Sequence, residues 1–148
     1  MYTIREVKPT DLFSVISIAY KTLPEHYTPA IFNHFYESFP QGFLIVESHH
    51  KIIGFLVGIM LQEKKAKILM LAILESYRRK AIGTQLLQKF LTYCSTNKIR
   101  IVELEVRITN SSALAFYQKN SFIIIEKIKG FYQNKEDAYC MQRKLRAY

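Results

Sequence analysis

A chain of 148 residues is long enough for one domain with its own core, and 49% hydrophobic residues with only 5 Gly and 4 Pro exclude a disordered or low-complexity protein. Its 21 Lys and Arg against 12 Asp and Glu give a formal net charge of +9, which points to an anionic or acidic partner or substrate. Cys94 and Cys140 lie far apart without metal spacing, the opening "MYTIREVKPTDL" is too charged for a signal peptide, and no apolar run nears the ~20 residues of a membrane helix, so buried thiols and a cytoplasmic setting are expected.

"YTIREV", residues 2 to 7, alternates apolar and polar positions and predicts an edge strand before Pro9. Thr10 and Asp11 are expected to cap a helix whose stripe is Leu12, Val15, Ile16 and Ala19, ending near Lys21. Pro24 and Pro29 break the helix in "TLPEHYTP", and a second helix starts at Thr28-Pro29. After the turn "FPQG", the runs from Phe43 and Ile52, separated by "HHK", predict a hairpin. "EKKA" turns the chain again into "KILMLAIL", residues 67 to 74, an apolar run suited to a strand covered on both faces.

From Ile82 to Cys94, Leu86, Leu87, Phe90 and Leu91 keep the helical period, and "IRIVELEVRI" alternates as the next strand. Strand, helix, strand predicts a right-handed unit with parallel strands. Asn110 offers an N-cap for "SSALAFYQKN", with Ala113, Phe116 and Tyr117 on its inner face. "FIIIEKI" and "AYCMQRKL" close the chain as two strands joined by "KGFYQNKED". The expected order is β-α-α-β-β-β-α-β-α-β-β, a mixed α/β fold in a single domain over residues 1–148, without repeats or linkers.

The stretch "YRRKAIGTQLLQKFL" places Arg78, Arg79 and Lys80 directly before Ala81, Ile82 and Gly83, between a buried strand and a helix. Such a turn exposes N–H groups at the positive end of the helix dipole and makes an anion site, with small residues letting a phosphate approach the main chain. The same three cations could also simply decorate a surface turn, and spacing alone leaves both readings open.

Arg78-x-x-Ala81-x-Gly83 resembles the [QR]-x-x-G-x-[GA] pyrophosphate loop of the GCN5-related N-acetyltransferase (GNAT) superfamily. "LEVRITNSSALAFYQKNSF" and "GFYQNKEDAYCMQRKL" are similar to its protein Nα-acetyltransferases of the bacterial ribosomal-protein (RimI) and Ard1 types, and "LPEHY", residues 23 to 27, to the Ard1 type. Ala81 departs from the usual Gly. The resemblance implies the GNAT fold, a central twisted mixed sheet of about seven strands flanked by about four helices. It also implies acetyl-CoA as co-substrate, without a metal: pantetheine at Leu71, Ala72 and Ile73, phosphates on Arg78, Arg79, Lys80, Ala81, Ile82, Gly83 and Thr84, and a contact from Asn110, which by itself reads as a helix cap.

Acetyl transfer to an amine needs a neutral amine, a stabilised oxyanion and a proton for the leaving thiolate. The resemblance implies Glu105 or Glu25 as general base, Tyr117 as general acid, and Tyr27 and Tyr132 as loop residues holding the substrate. Read alone, the two glutamates are solvated carboxylates and Tyr117 a core aromatic. Lys67 stands where Ard1-type enzymes place His or Tyr, and Lys is a poor base unless its pKa is depressed. The four His show no metal-binding spacing, so no metal site is expected.

The expected activity is transfer of acetyl from acetyl-CoA to a protein or peptide N-terminus, with possible ribosome or auxiliary-subunit association and no membrane or sequence-specific nucleic acid as partner. The alternatives are a lysine, polyamine or small-amine acetyltransferase of the same fold, a basic nucleic-acid-binding domain, and a silent CoA-binding module.

Overall fold

The computed structural model describes residues 1–146. Its elements are β1 (Thr3–Glu6), α1 (Leu12–Thr22), α2 (Pro29–Ser38), β2 (Phe43–Ser48), β3 (Lys51–Gln62), β4 (Lys65–Ile73), α3 (Ile82–Thr96), β5 (Ile101–Arg107), α4 (Ser111–Lys119), β6 (Ile123–Ile128) and β7 (Ala138–Lys144). Their order and types are those expected from the periodicities. The strands join in one seven-stranded sheet, β1-β2-β3-β4-β5-β7-β6. Pairing is antiparallel at β1–β2, β2–β3, β5–β7 and β6–β7, and parallel at β4–β5. The parallel pair β4–β5 is joined through α3, the kind of crossover connection that parallel strands require.

The main chain divides into two compact units, Met1–Met60 with Ile68–Tyr93, and Leu61–Lys67 with the described chain from Cys94 onward. In the first, Val15, Ile18 and Ala19 of α1 and Phe32 and Phe35 of α2 pack with Phe43, Ile45, Phe55 and Val57 into one core. The face of α1 includes Ile18 beside the expected Val15 and Ala19, while Leu12 and Ile16 pack at its margin. Along α3, Ile82, Leu86, Leu87, Phe90, Leu91 and Cys94 are all buried, as their spacing predicts. A Cβ on Gly58 of β3 would lie 2.5 Å from the Phe90 ring, so the absence of a side chain there is what lets α3 sit close to the strand.

One expected cap is not formed. Pro9–Asp11 is a 3-10 turn ahead of α1, and Asp11 accepts from Lys8 N at 2.7 Å and from both terminal nitrogens of Arg5, at 2.8 and 3.1 Å. The Arg5 hydrogen bonds hold the Asp11 carboxyl below the usual carboxylate range. A bidentate charged partner outcompetes the helix terminus for those oxygens. The β2–β3 hairpin closes on His49 and His50, with φ of 51° and 64°, between the paired Ser48 and Lys51. Two left-handed central residues are what a two-residue turn needs to follow the strand twist.

In the second unit β5 alternates strictly: Val102, Leu104 and Val106 are buried, while Glu103, Glu105 and Arg107 point to the other face. Opposite residues in an antiparallel ladder share a face, so Met141 joins the apolar side through Leu104, and Gln142 and Cys140 join the charged side through Glu103 and Glu105.

Burial pushes the Cys94 thiol from its ordinary 9.0 up to about 12. A group whose folded pKa is raised holds its proton while the unfolded form loses it, so its contribution is intact below pH ~9 and is lost as pH rises toward ~12. Thermal unfolding should show a falling Tm across that window, and less of a fall in Cys94→Ala.

Candidate active site

In the first unit, β4 ends at Ile73 and a 3-10 turn, Glu75–Tyr77, leads to Arg78. Arg79 and Ala81 then adopt left-handed backbone, φ 64° and 62°. Such alternation turns successive N–H groups toward one side and creates an anion-binding concavity. Gln85 N donates to Ala81 O at 3.1 Å, closing the first turn of α3. The N–H groups of Ile82, Gly83 and Thr84 therefore precede the internal ladder, at the positive end of the helix. Arg78 Nε donates to Ile73 O at 2.9 Å, tying the loop to the end of β4, and Lys80 Nζ lies 5.8 Å over the Tyr77 ring. Arg78, Arg79 and Lys80 are exposed. The seven positions from Arg78 to Thr84 thus form one continuous cationic, N–H-rich turn.

Leu71 is half-buried on β4 while Ala72 and Ile73 are buried. A Cβ on Gly54 would meet the Ala72 carbonyl oxygen at 2.8 Å, so β3 lies close against this segment. Glu25 and Tyr27 share the α1–α2 connection. Burial, then the Glu25 charge, raises the Tyr27 hydroxyl, and its ring packs edge-on to Phe32.

In the second unit, Glu105 Oε2 lies 2.8 Å from Lys67 Nζ, and Glu103 Oε1 lies 3.0 Å from Lys65 Nζ. Neither glutamate is the solvated surface carboxylate that alternation alone suggests; the Glu105 side chain is only 10% exposed. Cys140 sits beside both, and burial, then their charge, pushes its thiol up to about 11. Ligand atoms of Glu103, Glu105 and Cys140 lie within 4.8 Å of one another, the one such group among the described residues. With an ammonium on each carboxylate and the thiol held protonated, this donor set suits a closed row of ion pairs rather than a metal.

Asn110 caps α4, its Oδ1 accepting from Ala113 N at 3.2 Å and from Ser112 Oγ at 3.3 Å. On α4, the half-buried Tyr117 stacks edge-on against Phe116 and Phe122 at 5.1 and 5.5 Å. Burial raises its hydroxyl far above the ordinary tyrosine value, so it stays protonated throughout the neutral range. The Arg107 guanidinium lies 3.9 Å over the Tyr132 ring and bonds Asn134 Oδ1 at 3.1 Å, pinning the β6–β7 loop to the end of β5.

A sequence model of the acetyltransferase (GNAT) family matches residues 11–122. The chain belongs to that family. Like its members, this acetyltransferase draws its acetyl group from acetyl-CoA. It is 30% identical to an N-alpha-acetyltransferase of Sulfurisphaera tokodaii, over 95% of this chain and 91% of that one. An N-alpha-acetyltransferase of Saccharolobus solfataricus is 29% identical over 97% and 93%. Among solved structures, Ard1 from Thermoplasma volcanium superposes with a TM-score of 0.94 at 35% identity, covering 97% of each chain.

Two features of the acetyltransferase escape the sequence reading. Ala81 departs from the family glycine at a position whose φ is positive, which explains why glycine suits it. An alanine there costs about 1 kcal/mol of backbone strain. Ala81→Gly should therefore raise Tm by a few degrees and tighten CoA, read by thermal unfolding and calorimetric titration. The Lys67–Glu105 pair is the second. Its signal lies in the matched period-two patterns "KAK" and "ELE", but the register that pairs Lys67 with Glu103, and so brings Lys67 near Glu105, is a tertiary fact.

Proposed function

We propose that this acetyltransferase modifies the α-amino group of protein or peptide N-termini, the whole chain acting as one catalytic domain. The observation that carries the reading is its end-to-end similarity to proteins named N-alpha-acetyltransferase, together with the likeness to Ard1 at 35% identity. The cationic turn from Arg78 to Thr84 fits a pyrophosphate, and the adjoining Leu71, Ala72 and Ile73 supply strand edge for the pantetheine amides.

Acetyl-CoA supplies the activated thioester carbonyl. Glu105, or Glu25 through water, takes the proton of the attacking amine as its nitrogen bonds to that carbonyl carbon. Tyr117 gives its hydroxyl proton to the departing thiolate as the carbon–sulfur bond breaks, and the proton taken by the carboxylate returns to Tyr117 through solvent. An α-amine has a pKa near ~8 and is partly neutral at working pH, so a carboxylate is base enough. Tyr27 and Tyr132 hold the first substrate residues, and Asn110 adds a cofactor contact to its capping role. The chain acts in the cytoplasm, alone or with an auxiliary subunit at the ribosome; among the described residues no helix is long and apolar enough to cross a membrane.

Thiol release from acetyl-CoA, measured on short peptides differing at their first two residues and on a blocked-terminus peptide containing lysine, tests the reading. Turnover confined to free α-amines is expected. Turnover only on the blocked peptide moves the acceptor to lysine and overturns it.

A further inference from the structure

Acetyl transfer leaves a large part of the positive charge unused, and much of it gathers at one end of the second unit. Arg100 N and Ile101 N donate to Lys64 O at 2.8 and 3.2 Å, and Leu145 N donates to Arg100 O at 2.7 Å. Ile101 faces Lys65 in the parallel ladder and Lys144 in the antiparallel one. Three segments distant in sequence, 63–65, 98–101 and 143–146, therefore meet side by side. They bring Lys64, Lys65, Lys98, Arg100, Arg143, Lys144 and Arg146 together against a single acid in the same segments, Glu63.

Much of this charge has no acidic partner among the described residues. Lys65 is paired with Glu103, but Lys64, Lys98 and Lys144 are exposed and have no acidic partner among the described residues. One Arg100 guanidinium nitrogen, Nη1, is buried without a hydrogen-bond partner among the described residues. Neighbouring strands run about 4.8 Å apart, so the cations form a compact row rather than isolated charges. Glu105 lies four residues along β5 from Ile101, roughly 13 Å away at 3.3 Å per residue, which separates this row from the proposed base.

The chemistry favours a polyphosphate. A lipid surface is held by cations with apolar side chains inserted beside them, and the three segments carry no exposed large hydrophobic residue. A phosphodiester strand is held by charge alone through released counterions. We propose that this basic end binds the phosphodiester backbone of a nucleic acid strand, without reading its sequence. Such a contact would tether the enzyme near RNA or DNA and leave the acetylation chemistry untouched.

Fluorescence anisotropy of a labelled oligouridine and a labelled oligothymidine with the full chain, from about 50 to about 200 mM salt, tests this. Binding to either strand with a steep salt dependence is expected, and the tighter arm names the source. Lys64→Glu/Lys98→Glu/Lys144→Glu should weaken binding at least tenfold and flatten the log–log salt slope by about 2, at about 0.7 per lost contact. Peptide turnover and Tm should stay as in the parent chain, and Lys51→Glu/Lys119→Glu should bind like the parent. If the triple reversal fails to fold, the Gln versions of the same three residues should show the same direction. Equal affinity and slope in the folded triple variant, no binding by the parent chain, or equally good competition by polyglutamate would overturn the proposal. Because peptide turnover is read separately, loss of nucleic-acid binding and loss of acetyl transfer are distinguishable.

Discussion

Tyr117→Phe is expected to lower kcat about a hundredfold while leaving KM for acetyl-CoA within about twofold. General-acid assistance is worth typically 10²–10⁴, and the thiolate can still leave by taking a proton from water, which sets the lower part of that range. The substitution removes one oxygen from a ring held edge-on by Phe116 and Phe122, so packing and Tm should change little. The pH profile separates the chemical role from a structural one. Burial raises the Tyr117 hydroxyl, so the protonated acid persists past the ordinary tyrosine value near 10, and kcat of the parent chain should not decline between pH ~8 and ~9.5. Below pH ~8, kcat/KM should fall as the substrate amine becomes protonated. A Tyr117→Phe chain with unchanged kcat would remove Tyr117 from the proton path.

The second large effect separates the two carboxylates. If Glu105 accepts the amine proton, Glu105→Gln should lower kcat/KM about a hundredfold and Glu25→Gln far less; the reverse order would assign the base to Glu25. Glu105→Gln also leaves the Lys67 ammonium, 18% exposed, without its 2.8 Å carboxylate, so a modest drop in Tm should accompany it. The variant Lys67→Gln is the control. It removes the ion pair but keeps the carboxylate, so it should reproduce the stability loss and spare most of the rate. A rate loss in Lys67→Gln as large as in Glu105→Gln would mean that the pair acts as a unit.

Different parts of the site were legible to different degrees. The cationic, N–H-rich turn was readable because its signals are local: three cations, small residues, and a helix whose apolar period begins at Ile82. Asn110 was equally readable as a cap, since a cap acts on the residues that follow it. Glu105 was assigned to the correct strand face, yet its surroundings were not foreseen. Its partner Lys67 is 38 positions away, and only the β4–β5 register brings them together. Asp11 shows the opposite case, a local pattern that suggests a helix cap and is overridden by Arg5, a cation from the preceding strand. The basic row at Lys64, Lys98 and Lys144 is not apparent along the chain, where its members fall in three separate short segments.

By itself, the sequence determined the elements, their order, the buried face of α3, the alternation of β5 and the cationic turn that precedes α3. Each depends on periodicity or on contacts within a few residues, where backbone geometry leaves few choices. Tertiary structure alone decided which charges neutralise one another and which stay free. It also made the Ala81 position left-handed and set Arg107 on the Tyr132 ring. These depend on strand register and on the closure of long loops, which bring together residues whose separation in sequence carries no record of their distance in space.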